Sequence, residues 1–243
     1  MSAAESPSAT SGRVPPLHLL LALAVVAVWG TNFVVIRVAL DDLPPLLFAA
    51  LRFTFAFLPA ALFIRRPAVR WQALAAYGVL IGFGQFGLLY IAMRSDISPG
   101  LASLVVQSQV FFTIGLAMYF ARERLRPFQI AALLLATAGI GVILAHTDGS
   151  TTPLGLGLGL AAAVSWAIGN HVARTSGVSD MLGFVVWSIL FSVPPLVIGS
   201  LLFEGPASIG AALTRADTAT WAAVLWQSAS VTACSCLNFR FIR

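Results

Sequence analysis

Arg52 is the residue with the most chemistry to account for. It stands seventh in the apolar stretch Leu46 to Ile64, where no other charge occurs. An ionised side chain deep in a membrane helix costs roughly 2.5 to 3.5 kcal/mol on insertion scales, so something must compensate it. At about 1.5 Å per residue it lies about 9 Å from the nearer end of its helix. Three arrangements meet that demand. The long side chain can snorkel to the interface, pair with a helix-end carbonyl, or serve function, by offering its planar fork to the carboxylate of a solute or by gating.

Asn32, Gln85, Gln107 and Gln109 stand in other apolar stretches at depths running from the outer third to the midplane. Amides offer donors and acceptors to a zwitterion without adding net charge. Their alternative role is to hold helices together, at about 0.6 kcal/mol each. Trp29 and Trp166 lie several residues inside their stretches, too deep for an interfacial aromatic belt, and serve either as cavity walls or as bundle packing. His171 reads as an interfacial hydrogen-bonding group rather than a proton relay.

Other chemistry is excluded. None of the nine acidic residues falls inside an apolar stretch, which disfavours a proton antiporter built on Asp or Glu. Paired carboxylates or histidine clusters, the marks of a membrane-integral enzyme, are not visible. Cys234-Ser-Cys236 has no nearby His or carboxylate to complete a metal site, so neither metal nor cofactor is expected. Gly82-Phe-Gly84-Gln-Phe-Gly87 fits a dinucleotide fingerprint, yet it lies in an uncharged apolar stretch with no preceding strand. It reads as close helix approach, as do Gly155, Gly157 and Gly159.

The elements that must position these residues follow from composition. Of 243 residues, 59% are hydrophobic and only 9% charged, against about 25% charged in a soluble domain. Eight stretches approach the length of about 20 residues that crosses a bilayer. They are Leu17 to Ile36, Leu46 to Ile64, Trp71 to Met93, Pro99 to Ala121, Pro127 to Ala145, Pro153 to Ala173, Met181 to Phe203 and Ala219 to Phe239. The expected fold class is an all-α multi-pass membrane protein, a bundle of about eight transmembrane helices.

Residues 1–16, rich in Ser, Ala and Pro, read as a disordered cytoplasmic tail. With the amino terminus inside, Arg13, Arg65, Arg66, Arg70, Arg122, Arg124, Arg126, Arg174, Arg240 and Arg243 fall on the cytoplasmic side, and only Arg37, Arg94 and Arg215 opposite. The positive-inside rule gives that orientation. The net charge of +5 is thus a topology signal, not a nucleic-acid footprint.

Trp29 and Arg37 recur as Trp166 and Arg174 at one constant offset. Five helices separate the copies, so the second half enters the membrane upside down, the plan of many secondary transporters.

The run Val28-Trp-Gly-Thr-Asn-Phe-Val-Val-Ile-Arg37 and the segment Leu43-Pro-Pro-Leu-Leu-Phe-Ala-Ala-Leu-Arg-Phe53 resemble the opening of EamA-domain transporters of the drug/metabolite transporter superfamily. Gly100 to Thr113, Glu123-Arg-Leu125 and Leu160 to Asn170 extend the likeness, most closely to the bacterial O-acetylserine/cysteine exporter branch. The resemblance implies two inverted five-helix repeats around a central cavity. Residues 17–145 form the first, and 153–243 an incomplete second, because the last dozen residues depart from the family pattern. It also implies that Asn32, Arg52, Gln85, Gln107, Gln109 and Asn170 meet the substrate.

The expected activity is export of amino acids or related small metabolites across the bacterial inner membrane. Its partners are a small zwitterionic metabolite and the lipid bilayer, with no nucleic acid and a homodimer left open. The competing readings are a truncated, non-transporting fragment of such an exporter, or a permease for drugs or purines.

Overall fold

The computed structural model describes residues 16–121, 127–145 and 151–241. The amino-terminal tail, Arg13, the Glu123-Arg-Leu125 segment, Arg122, Arg126 and Arg243 lie outside the described residues, as do the side chains of Cys234, Cys236 and Arg240. Among the described residues all regular structure is helical. In chain order the helices are α1 (Pro16–Asp42), α2 (Pro45–Phe63), α3 (Trp71–Ser95) and α4, which runs as Pro99–Gln107 and Gln109–Ala121. There follow α5 (Pro127–Ala145), α6 (Pro153–Thr175), α7 (Met181–Glu204), α8 (Pro206–Arg215) and α9 (Thr218–Phe241). Six of these, α1 to α4, α6 and α7, are long and apolar enough to cross a membrane.

Local chemistry sets the boundaries. α2, α4, α6 and α8 start on Pro45, Pro99, Pro153 and Pro206. Proline suits a first turn because the N–H it lacks would go unpaired there. Ser98, Thr152 and Asp180 accept from backbone N–H groups of the first turns of α4, α6 and α7. Gly205, at φ +79°, makes the sharp exit from α7 that other residues rarely adopt.

α2 and α7 pack together at the centre, flanked by α3 on α7 and α9 on α2. Small residues make these contacts close. A Cβ at Gly78 would strike the Ser188 carbonyl oxygen of α7, one at Gly82 would strike Ser192, and one at Gly84 would strike Ser165 of α6. The glycine pattern of α3 is therefore a packing surface, as its sequence context predicts. In α6, Gly155 and Gly159 abut Asp96 and Val105, whereas Gly157 faces open space.

One end of the bundle carries an acidic set of ties. The Thr152 hydroxyl donates to Asp96 at 2.8 Å, and the Thr220 hydroxyl to Asp42 at 2.6 Å. Glu204 accepts from the backbone N–H of Leu46 at 2.6 Å and of Leu47 at 3.1 Å, and from Ser200 Oγ at 2.6 Å. Pro44, at the cap position of α2, makes no side-chain cap, so the carboxylate of Glu204 supplies it from a distant helix. Losing a cap typically costs about 1 kcal/mol. Glu204→Ala should accordingly lower the unfolding temperature in detergent, and an unchanged temperature would refute the capping role.

Asp217 opens α9 in the same manner, accepting from Thr220 N at 2.8 Å. Hydrogen bonds from Thr220 hold its carboxyl below the ordinary value of 3.8. A depressed folded-state pKa means the cap is in force above the unfolded value and is lost as pH falls through the folded one. Loosening of the start of α9, followed by amide exchange, is expected only below about pH 4 and should be absent in Asp217→Ala.

Candidate functional site

Arg52, one of the nine buried residues with a polar or charged side chain among those described, is 2% exposed. It neither snorkels nor pairs with a carbonyl. Its Nη1 donates to the hydroxyl of Tyr90 on α3, and the guanidinium lies over the ring of Phe86 at 4.1 Å and beside Phe53 at 4.8 Å. Cations over ring faces gain more where water is excluded. Tyr90 is in turn fixed by Phe48, stacked at 4.9 Å, and by Phe86 at 5.9 Å, edge to face. Two features leave this charge incompletely satisfied. Arg52 Nε is buried without a hydrogen-bond partner. No carboxylate among the described residues forms an ion pair with Arg52.

α9 connects Arg52 to the amide ladder. Gln227, fully buried, donates to Asn32 Oδ1 at 2.7 Å and to the Asn32 carbonyl at 3.2 Å. Its neighbour Ser228 donates to the Arg52 carbonyl at 3.0 Å. One turn of α9 thereby fixes α1 at Asn32 and α2 at Arg52.

The indoles of Trp29 and Trp166 stack with centroids 6.1 Å apart and planes 6° from parallel. Both tryptophans were open to two readings, and the structure makes them partners across α1 and α6.

The remaining amides sit where helices depart from regularity. Gln85, 3% exposed, lies in a widened π-helical stretch of α3, Leu80–Gly87. Ser192 of α7 donates at 2.7 Å to the Gly78 carbonyl just before that stretch. Gln107 and Gln109 flank Ser108, where α4 breaks into two pieces. There Ser108 N bonds Val105 O, and Phe111 N bonds Ser108 O, both at 3.0 Å, a tightened three-residue spacing. Ser108 Oγ is buried without a partner. Gln109 Oε1 accepts from Thr113 at 3.1 Å, while Gln107 is exposed and Asn170 half-buried. Irregular backbone at membrane depth is tolerated where it is enclosed by protein or lines a cavity, and interrupted helices form substrate sites in many transporters.

Seven of the eight predicted residues fall into groups. Trp29 joins Trp166, Asn32 joins Arg52 through α9, and Gln85, Gln107 and Gln109 mark the two helix irregularities, while Asn170 lies half-buried on α6 outside these groups. None of the other seven touches the guanidinium of Arg52 in a hydrogen bond or ring contact among the described residues. Its actual partners, Tyr90 and Phe86, were not singled out from sequence, although their spacing of four puts both on one face of α3. Gln227 was missed too, and an amide inside an apolar stretch was the signal for it. An apolar groove of about 400 Å³ between α1 and α9, lined by Ala27, Val28, Thr31, Val35 and Trp226, contains none of the predicted residues.

A buried cation with no carboxylate paired to it among the described residues suits a small solute carrying a negative group. Residues 16–145 match the family model described as EamA-like transporter family. The chain is 42% identical over 212 residues to a probable amino-acid metabolite efflux pump of Salmonella typhimurium, covering 85% of this chain and 71% of that protein. The chain belongs to the EamA-like transporter family. An Escherichia coli protein also named probable amino-acid metabolite efflux pump is 41% identical over 83% of this chain and 69% of its own length. The Escherichia coli protein named uncharacterized inner membrane transporter YedA is 29% identical over 81% and 67%. A solved crystal structure shares the fold, with a TM-score of 0.60 at 22% identity over 88% of this chain and 74% of that one. This member of the EamA-like family is therefore a multi-pass membrane transporter, and its buried polar groups are read in that light.

Proposed function

We propose that the protein is a secondary exporter of small zwitterionic amino-acid metabolites in the bacterial inner membrane, with its amino terminus in the cytoplasm. The observation that carries this reading is Arg52, buried, with Nε unpaired and no carboxylate paired to it among the described residues. A solute carboxylate supplies the missing charge, at about 1.5 to 3 kcal/mol for a hydrogen bond to a charged group. Asn32, Gln85, Gln107, Gln109 and Asn170 serve the solute's polar remainder, and Trp29 with Trp166 its apolar part.

Two inverted repeats, 17–145 and 153–243, agree with the packing. α1 lies on α9 as α6 lies on α3, and α2 meets α7 at the centre. The Trp29–Trp166 stack then joins equivalent residues across the pseudo-two-fold axis. The names of the two Enterobacterial relatives point to the same substrate class.

The test is a panel of labelled solutes loaded into proteoliposomes bearing the 243-residue chain: L-cysteine, O-acetyl-L-serine, L-leucine, a purine and a cationic dye. Efflux of at least one amino-acid compound above empty vesicles is expected. Efflux of the purine or dye alone would replace this reading with the drug or purine permease.

A further inference from the structure

The corner where α2 ends and α3 begins carries a basic, ordered loop outside the proposed transport site. Arg65, Arg66 and Arg70 all stand in this segment, residues 64–70, and all three are exposed. Both ends of the loop are tied to α7. Trp187 Nε1 donates to the Ile64 carbonyl at 3.1 Å, and Trp71 meets Phe191 edge to face at 5.8 Å. Between these ties Pro67 is buried, and Val69 N bonds the Pro67 carbonyl at 2.9 Å. Arg66 is held in place as well. Its guanidinium lies over the Trp71 ring at 3.5 Å, and its Nη2 donates to the Val69 carbonyl at 3.3 Å.

Topology asks only that arginines lie on one side of the membrane. It does not ask that one be stacked and fixed, which costs side-chain entropy. A guanidinium stacked on an indole still presents N–H donors to a phosphate. Among the described residues none of the three arginines forms an ion pair. Asp180 packs by the Arg65 carbonyl across Gly183, but its carboxylate caps α7, accepting from Gly183 N at 3.0 Å. On the bilayer side of the loop, Leu62 and Phe63 of α2 are 81% and 86% exposed.

We propose that this corner binds an anionic phospholipid, its phosphate held by Arg65, Arg66 and Arg70 and its acyl chains lying on Leu62 and Phe63. A lipid fits better than a soluble anion because the basic loop joins exposed apolar surface at the ends of two membrane-spanning helices. Trp71, an amphipathic ring suited to the headgroup level, stands at the junction. Each basic side chain near a negative headgroup raises affinity about 5-fold, so the three together select against a zwitterionic headgroup. The proposed orientation puts the site in the cytoplasmic leaflet, and the headgroup chemistry is independent of the reading of Arg52.

Native mass spectrometry of the full chain, released from detergent micelles holding equal amounts of phosphatidylglycerol and phosphatidylcholine with the same acyl chains, tests the proposal. Wild type should retain phosphatidylglycerol over phosphatidylcholine by about 10- to 100-fold. Equal retention overturns the site without recourse to any variant. Arg65→Gln, Arg66→Gln and Arg70→Gln should each reduce the preference about 5-fold. Arg215→Gln removes an exposed arginine at the opposite end of the bundle and should leave the preference unchanged. If Arg215→Gln costs as much as the loop variants, the attraction is diffuse and no site exists. Inorganic phosphate at constant ionic strength should not displace the lipid, and displacement would overturn the assignment to a phospholipid.

Discussion

Arg52→Ala is expected to bring efflux to the level of empty vesicles while the protein still inserts and folds. Three considerations set the size of this effect. A charge-assisted hydrogen bond to a carboxylate contributes about 1.5 to 3 kcal/mol, and each 1.4 kcal/mol is tenfold. Transport efficiency should then fall by about 10- to 100-fold from binding alone. The lost charge also removes the groups that orient the solute, so the loss grows when the maximal rate is included. Insertion, in contrast, should not suffer, because a charge costing roughly 2.5 to 3.5 kcal/mol at membrane depth is removed. The Tyr90 hydroxyl loses its partner, a smaller penalty of about 1 to 3 kcal/mol. Membrane yield and a single size-exclusion peak report folding, and labelled amino-acid efflux reports function.

Gly78→Val should have the opposite profile, losing the fold rather than the chemistry. A Cβ at Gly78 would collide with the backbone oxygen of Ser188 and sit 3.1 Å from Phe191 Cβ, so α3 and α7 must separate. Backbone cannot rotate aside as a flexible side chain can. Overpacking of this kind costs about 1 to 3 kcal/mol. Separation also threatens the Ser192 bond to the Gly78 carbonyl, worth about another 1 kcal/mol. A sharp drop in folded yield and unfolding temperature is expected. Gly157→Val is the control, since nothing lies within 4 Å of its Cβ position, and it should remain near wild type.

Much of this arrangement was legible in the residues, for identifiable reasons. Proline at the first turn and a run of about twenty apolar residues are local signals, so α2, α5 and α6 begin within one residue of their predicted starts. The refusal of Gly82 to Gly87 as a phosphate loop rested on context and agrees with glycines pressed against α7 and α6. Departures from regular helix were harder to read. The break at Ser108 and the widened turn around Gln85 arise from how α3 and α4 meet their neighbours, and a hydropathy run is blind to them. Glu204 falls just beyond the predicted seventh stretch. The structure makes it the last residue of α7 and the cap of α2.

The partners of the predicted site residues were the least legible. Arg52 meets Tyr90 across 38 positions, and Asn32 meets Gln227 across 195. Depth along a helix can be counted from sequence, but the rotation of each helix about its axis is set by packing. The ladder placed Arg52 and the amides at compatible heights without showing which faced one another. Trp29 and Trp166 share one repeat offset in the sequence, but an offset says nothing of contact, and their stacking is seen only in the structure.

The central claim is that Arg52 recognises the carboxylate of a small zwitterion. Its most direct test is the ratio of efflux rates for L-cysteine and L-cysteinamide, measured side by side in proteoliposomes of the wild-type chain and of Arg52→Ala. About a tenfold or greater preference for the carboxylate is expected in wild type, and a ratio near one in the variant at much reduced rate. Equal ratios in the two proteins would contradict it.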